Sequence, residues 1–120
     1  MKKEIGDLGE EIALHYLLNA GYKILEKKWH YGHLELDIIA KEGHDLVVVE
    51  VKTRSGKPFE FPSDALTSKQ MKMIVEAADA FTQQRDLCIE TRFDLIIVIL
   101  YGENHELEHF KEAFSPYDVT

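Results

Sequence analysis

An apolar run that ends in charged residues most limits how this chain can fold. Residues 46–52 are Leu-Val-Val-Val-Glu-Val-Lys, and the apolar, largely β-branched residues that open the run are typical of a buried strand. Glu50 and Lys52 stand two positions apart, so their side chains point to the same face of that strand. Buried charges need a partner or a ligand. Alone, the pair is best interpreted as a structural ion pair at a strand end, with a polar site as the alternative.

The rest of the chain predicts one α/β domain spanning residues 1–120. Helices are expected from about Asp7 to Ala20 and from a cap at Thr67 or Ser68 to about Gln84, where Thr67-x-x-Gln70 fits a capping box. Strands are expected at about Tyr22–Trp29, His33–Ala40, Asp45–Lys52, Arg92–Leu100 and Glu106–Phe110. The order αβββαββ predicts a single mixed β-sheet flanked by helices.

A turn around Gly43 predicts that the second and third strands form an antiparallel hairpin. Asp37 lies six residues before Gly43 and Glu50 lies seven residues after it, so the two carboxylates are expected to be near cross-strand neighbours. Glu35 and Lys52 follow one step further along. Strict alternation would place residues 34, 36 and 38 on one face of the second strand and residues 33, 35 and 37 on the other.

A further carboxylate, Glu10, is predicted on the inward side of the first helix. Ala13, Leu14 and Leu17 are its i+3, i+4 and i+7 neighbours, whereas Glu11 points elsewhere. A carboxylate on such a stripe needs a partner, and the alternative is a residue at the edge of the stripe that reaches solvent.

Together these elements predict a pocket shared by Glu10, Glu35, Asp37, Glu50 and Lys52. Clustered carboxylates repel one another and become protonated or bind a cation, and Mg²⁺ or Mn²⁺ is the expected ion. A metal held by Asp37 and Glu50 is suited to activating a water for phosphodiester hydrolysis, with Lys52 beside it to position the water or stabilise the transition state. His33-x-Glu35-x-Asp37 has a spacing that could bind a transition metal, although an exposed His33 at the start of the strand is the preferred interpretation. The remaining histidines show no ligand spacing, and they are assigned no role.

Charge weakens but does not exclude a nucleic-acid partner. The net charge is −8, yet residues 41–72 carry six Lys/Arg against five Asp/Glu, while residues 73–120 carry three against ten. Arg54, Lys57 and Lys69 lie in or near this less acidic segment and are the candidates for phosphate contacts.

Residues 29–32, Trp-His-Tyr-Gly, interleave aromatic and basic side chains at a predicted turn. Such a pattern suits contact with nucleic acid, but short clusters of this kind also occur in ordinary turns.

The sequence predicts a cytoplasmic protein with no membrane association. No apolar run approaches the ~20 residues of a membrane span. The first residues lack the apolar core of a signal peptide. The lone Cys88 is compatible with a reducing compartment.

Asp37, followed after twelve residues by Glu50-Val51-Lys52, resembles the PD-(D/E)xK signature of the restriction-endonuclease-like nuclease superfamily. The resemblance implies a restriction-endonuclease-like fold and a metal shell that includes the Val51 backbone carbonyl. It also implies that Glu10 corresponds to the helical acid of the Holliday-junction resolvases in this superfamily. Small nucleases of this fold often act as dimers, so a homodimer is a further expectation.

A second resemblance extends over most of the chain and concerns the YraN family of uncharacterised bacterial proteins. Its pattern is matched in order by Gly9-Glu10, Gly21-Tyr22, residues 35–40, residues 49–54, Ala65 with Lys69, and Arg92-Phe93-Asp94. One departure is Leu34, where the family usually has Gly.

The expected function is that of a metal-dependent nuclease, or a nuclease-derived protein, acting on structured DNA or RNA. The alternatives are a non-catalytic nucleic-acid-binding module on the same fold and a protein–protein adaptor whose buried charges are structural.

Overall fold

In a computed structural model that describes residues 2–56 and 62–119, five strands form one sheet with a helix on each face. The elements are α1 (Lys2–Asn19), β1 (Lys23–Tyr31), β2 (Leu34–Glu42), β3 (Asp45–Ser55), α2 (Ser68–Gln84), β4 (Thr91–Tyr101) and β5 (Asn104–Phe114), with 3-10 turns at Pro62–Ala65 and Pro116–Val119. This order confirms the predicted αβββαββ arrangement.

The sheet is mixed, as predicted, and its strands follow one another in chain order. β3 and β4 are parallel and the other neighbours are antiparallel. A parallel pair requires a crossover, which α2 supplies between β3 and β4. The predicted capping box opens α2, because Thr67 Oγ1 accepts from the Gln70 N–H at 3.1 Å and the Gln70 side chain accepts from the Thr67 N–H at 3.0 Å.

Each face of the sheet carries its own apolar layer. Ala13 and Leu17 of α1 pack over Val47 and Val49, whereas Phe81 of α2 packs in the opposite layer. Among the described residues, neither helix is long and apolar enough to cross a membrane.

The predicted alternation along β2 was wrong at its centre. Leu34 and Leu36 face α2 as a pair, but Ile38 packs in the α1 layer and Ile39 packs in the α2 layer. The alternation therefore shifts by one residue at Asp37. This is the position at which β2 parts from β3.

The sheet divides into two arms at that position. The β2–β3 ladder extends from Glu42↔Asp45 to Ile38↔Val49. Beyond it, residues 34–36 pair only with β1, and residues 50–55 pair only with β4. We call the division the fork, residues 29–37 the hairpin arm, and residues 50–55 with their β4 partners the parallel arm. The fork places the residues on either side of it around an open gap in the sheet.

Helix α1 lies very close to the parallel arm. Gly9 is buried, and a Cβ atom added to it would overlap the Thr53 side chain. Only glycine permits this approach, which holds the neighbouring Glu10 beside the fork.

We expect Gly9→Ala to lower the free energy of unfolding by about 1–3 kcal/mol, because the added methyl group forces α1 away from Thr53. Gly6→Ala is the matched control on the same helix. No atom lies within 4 Å of the Cβ that it adds, so it should stabilise the protein by about 0.5–1 kcal/mol through helix propensity. Urea unfolding of the two variants measures the difference, and equal effects would contradict the close approach.

Candidate functional site at the fork

Asp37 lies at the point where the two arms of the fork diverge. It is the first residue of β2 beyond the last β2–β3 pair, and its Oδ2 accepts a hydrogen bond of 2.9 Å from the Val51 N–H. A backbone N–H that has lost its ladder partner must find another acceptor. The Asp37 side chain supplies that acceptor, and its carboxylate is thereby fixed between the two arms.

Glu50 and Lys52 begin the parallel arm as the ion pair that their spacing suggested. Lys52 Nζ lies 3.8 Å from Glu50 Oε1, and their side chains are 23% and 16% exposed, respectively. The separation is long for a hydrogen bond. The pair therefore neutralises part of the charge at the fork without closing it to a ligand.

Glu10 reaches the same region from α1. Its side chain is 21% exposed, and Lys28 Nζ lies 3.6 Å from its Oε2 and 2.8 Å from Asp7 Oδ1. Lys28 adopts a φ of 49°, in the left-handed region that most residues avoid, although it lies within β1. The sequence analysis assigned Lys28 no role, and no local pattern indicates this reach toward α1.

Burial raises the pKa values of the carboxylates at the fork, and the charge of Asp37 adds to this rise at Glu10 and Glu50. Burial, followed by the charge of Asp37, raises the pKa of Glu10 to about 7 against the lowering effect of Lys28. Burial and then Asp37 raise the pKa of Glu50 well above its usual range, and Lys52 offsets only part of this rise. Burial also raises the pKa of Asp37, although the Val51 N–H favours its ionised form. Buried acids that disfavour one another's charge are a favourable setting for a cation.

The carboxylate oxygens at the fork are the kind of ligand that a hard divalent cation prefers. Within the described residues, no group of three or more His, Cys, Asp or Glu side chains is already arranged as a metal site. Mg²⁺, however, is commonly held by one or two carboxylates and keeps several of its waters. Asp37 and Glu50 are the two carboxylates at the fork that could hold such an ion. The Val51 carbonyl as a third ligand remains a prediction.

The other predicted site residues lie further out. Glu35 is exposed on β2 opposite His30, and its charge raises the pKa of Asp37. Arg54 is exposed near the end of the parallel arm, and Lys69 is exposed in the first turn of α2. Lys57 lies outside the described residues.

A second polar cluster, which sequence reasoning missed, is centred on Asp94 of β4. This carboxylate is fully buried. Arg92 Nε and Nη2 donate to its two oxygens at 2.9 Å each, His109 Nε2 lies 2.7 Å from Oδ2, and the Glu112 N–H donates to Oδ1 at 3.1 Å. Burial works against the charge, but the bonds from His109 and Arg92 lower the pKa of Asp94. Asp94 is therefore a satisfied buried anion.

The same cluster attaches α1 to the sheet. His109 Nδ1 lies 2.9 Å from the Tyr16 hydroxyl, and Arg92 donates to Tyr22 and Glu42 at 2.8 Å each. Arg92 and Asp94 have the same i, i+2 spacing in an apolar strand as Glu50 and Lys52. That spacing is the sequence signal for the cluster, whereas His109 has none.

Comparison with known proteins identifies relatives along nearly the whole chain. A model of the uncharacterised protein family UPF0102 matches residues 9–98, a span that includes the residues at the fork. A UPF0102 protein of Bacteroides thetaiotaomicron is 43% identical over 113 residues, covering 94% of this chain and 93% of the relative. Another, from Flavobacterium johnsoniae, is 39% identical over 115 residues, covering 92% of this chain and 94% of the relative.

Among solved structures, this chain is similar to Hjc of Archaeoglobus fulgidus, a Holliday junction resolvase from an archaeal hyperthermophile. The TM-score is 0.48 and the identity is 18%, over 85% of this chain and 72% of that chain.

We expect the metal-free protein to lose stability as the pH rises from 5 to 8. The folded pKa of Glu10, about 7, lies above its ordinary value of 4.5, so its contribution is complete below 4.5 and is lost as the pH rises through 7. Glu10→Gln should remove about 2–3 kcal/mol of this loss. Glu76→Gln, at an exposed position on α2, should leave it unchanged. Urea unfolding at both pH values in chelator measures the difference, and identical pH profiles for the two variants would contradict the placement of Glu10.

We expect Asp94→Asn to lower the free energy of unfolding by about 3–5 kcal/mol, because it leaves Arg92 as a largely buried charge without its anion. Asp79→Asn, at an exposed position on α2, should change stability by less than about 0.5 kcal/mol. Guanidinium unfolding distinguishes them. A small effect of Asp94→Asn would show that the cluster is not what attaches α1 to the sheet.

Proposed function

We propose that this chain, which belongs to the uncharacterised protein family UPF0102, is a metal-dependent nuclease that hydrolyses phosphodiester bonds in structured DNA or RNA. UPF0102 and YraN are two names for one family, so the sequence motifs and the family model agree. The observation that carries the proposal is the meeting of Asp37 and Glu50 at the fork, with raised pKa values and with Lys52 beside them.

Asp37 and Glu50 are the proposed ligands of Mg²⁺ or Mn²⁺. When bound, such an ion would stabilise both ionised carboxylates, polarise a phosphate and lower the pKa of a water. The Val51 N–H orients Asp37 through its bond to Oδ2, so this carboxylate needs no rearrangement on the β3 side.

Lys52 and Glu10 have separate roles in the proposal. Lys52, 3.8 Å from Glu50, places a positive charge where negative charge develops on the phosphate during attack. Glu10, with a pKa of about 7, is suited to accept the proton of the attacking water near neutral pH. Glu35, which is exposed on β2, is the second candidate for that base.

Arg54, Lys57 and Lys69 are the proposed phosphate contacts. Arg54 and Lys52 share a face of β3 by alternation, and α2, which carries Lys69, covers that face. A strand of nucleic acid that contacts these side chains would bring a phosphate to the fork. A cytoplasmic location and a homodimer remain part of the proposal.

The test is cleavage of branched, single-stranded and duplex oligonucleotides in Mg²⁺ or Mn²⁺. We expect Asp37→Asn and Lys52→Met each to lower the rate by about 10²–10³-fold or more, because each removes charge that acts in the transition state. Glu76→Gln, at an exposed position on α2, is the control and should retain the wild-type rate.

Cleavage that survives Asp37→Asn or Lys52→Met would overturn the assignment. Binding that persists in chelator without cleavage would instead favour a non-catalytic nucleic-acid-binding module. Absence of both metal and nucleic-acid binding would favour the protein–protein adaptor.

A further inference from the structure

The stacked rings of Trp29 and Tyr31 on the hairpin arm form what we call the aromatic pair. The rings of Trp29 and Tyr31 are parallel within 3°, with centroids 6.4 Å apart. Trp29 meets the ring of Phe81 edge to face at 5.2 Å, which anchors it against α2. Tyr31 is 43% exposed. The pair is therefore fixed at its inner end and open to solvent at its outer end.

The aromatic pair lies on the same face of the sheet as Glu50 and Lys52. Trp29 packs with the α2 layer, and Tyr31 lies two residues further along the strand. On β3, Leu46 and Val48 face α2, and the regular β3–β4 register continues that alternation through Glu50 and Lys52. The aromatic pair and these two proposed reactive groups therefore lie on one face of the sheet, on opposite sides of the fork.

The distance from the aromatic pair to the fork suits a short stretch of nucleic acid. Tyr31 pairs with Leu34, which lies three residues from Asp37 on β2. Three residues of a strand span about 10 Å. This is the length of a few nucleotides at ~3.4 Å per stacked base.

The charge around the aromatic pair also suits a polyanion, unlike the charge of the whole chain. Residues 27–34 contain two Lys, two His and no Asp or Glu, although the chain carries −8. Lys28 is engaged by Asp7, whereas Lys27, His30 and His33 are exposed. The residues that flank the aromatic pair in the chain therefore offer exposed donors and no carboxylate.

We infer that Tyr31, backed by Trp29, stacks against an unpaired base, so that the fork accepts a single strand or an unpaired stretch of a branched nucleic acid. The inference rests on the proposed function, since it names the substrate class of the same site. Stacking requires a base that has left its duplex, because a paired base does not offer its face. Packing against Phe81 accounts for Trp29, whereas Tyr31 remains exposed although its ring stacks on Trp29.

The only tryptophan of the chain provides a direct readout, because Trp29 is in the pair itself. The full-length protein is titrated in chelator with a single-stranded DNA oligonucleotide, with an oligonucleotide of the same length in which abasic sites replace the central bases, and with a duplex. We expect the single strand to quench Trp29 fluorescence and to bind about tenfold or more tighter than the abasic strand. The duplex should leave the fluorescence unchanged.

Tyr31→Leu should weaken single-strand binding by about tenfold and remove its advantage over the abasic strand, while the salt dependence stays the same. Tyr31→Phe, which keeps the ring, should retain both. Tyr117→Leu is the matched control, because Tyr117 is 87% exposed beside Thr91 and Phe93, at the end of the sheet away from the fork.

The inference is overturned if the single and abasic strands bind equally, if Tyr31→Leu behaves like Tyr117→Leu, or if no oligonucleotide binds. The proposed function can fail separately. Quenching and base-dependent binding without metal-dependent cleavage support the stacking site and refute the nuclease. Cleavage of single-stranded and branched substrates that is indifferent to Tyr31→Leu supports the nuclease and refutes the stacking site.

Discussion

The hydrogen bond from the Val51 N–H to Asp37 is the contact on which the rest of the site depends. A sheet that divides leaves backbone groups without partners along both inner edges, and buried groups of this kind are costly. Here a side chain from one arm accepts the N–H of the other at 2.9 Å. The same carboxylate that stabilises the fork is therefore the one that faces Glu50. Asp37 therefore both completes the backbone hydrogen bonding of the divided sheet and serves as a proposed metal ligand. A change that displaces its carboxylate also leaves the Val51 N–H without this acceptor.

Two contacts on α1 determine where Glu10 lies. Gly9 lets the helix approach Thr53, and about two turns further on, Tyr16 contacts His109 of the Asp94 cluster. A helix held at two points along its length can neither slide nor rotate easily. The buried charge of Asp94 thus has a role at a distance, because it helps to hold a carboxylate that belongs to another part of the sheet.

Much of the site was predictable because its parts are local in sequence. The turn at Gly43 sets the register that brings Asp37 to Glu50, and helical periodicity alone places Glu10 inward. The shift of Ile38 to the α1 layer was not predictable, because it depends on the fork rather than on the alternation of β2. The same is true of Lys28, whose reach depends on a φ of 49°, and of the His109–Asp94 contact, which depends on a register shift between β4 and β5. Periodic patterns in a sequence do not predict departures from regular backbone geometry.

The parallel pairing of β3 and β4 also bears on how the molecule folds. β1, β2 and β3 are joined by tight turns and form contacts between residues close in sequence, whereas β4 can join the sheet only after the whole crossover through α2 has been ordered. Asp37 and Glu50 flank the last pair of the β2–β3 hairpin, Ile38↔Val49, and so lie where its local contacts end. The charge of Asp37 therefore disfavours that of Glu50 at the far end of the first hairpin as well as in the finished sheet, independently of the crossover that brings β4 into place.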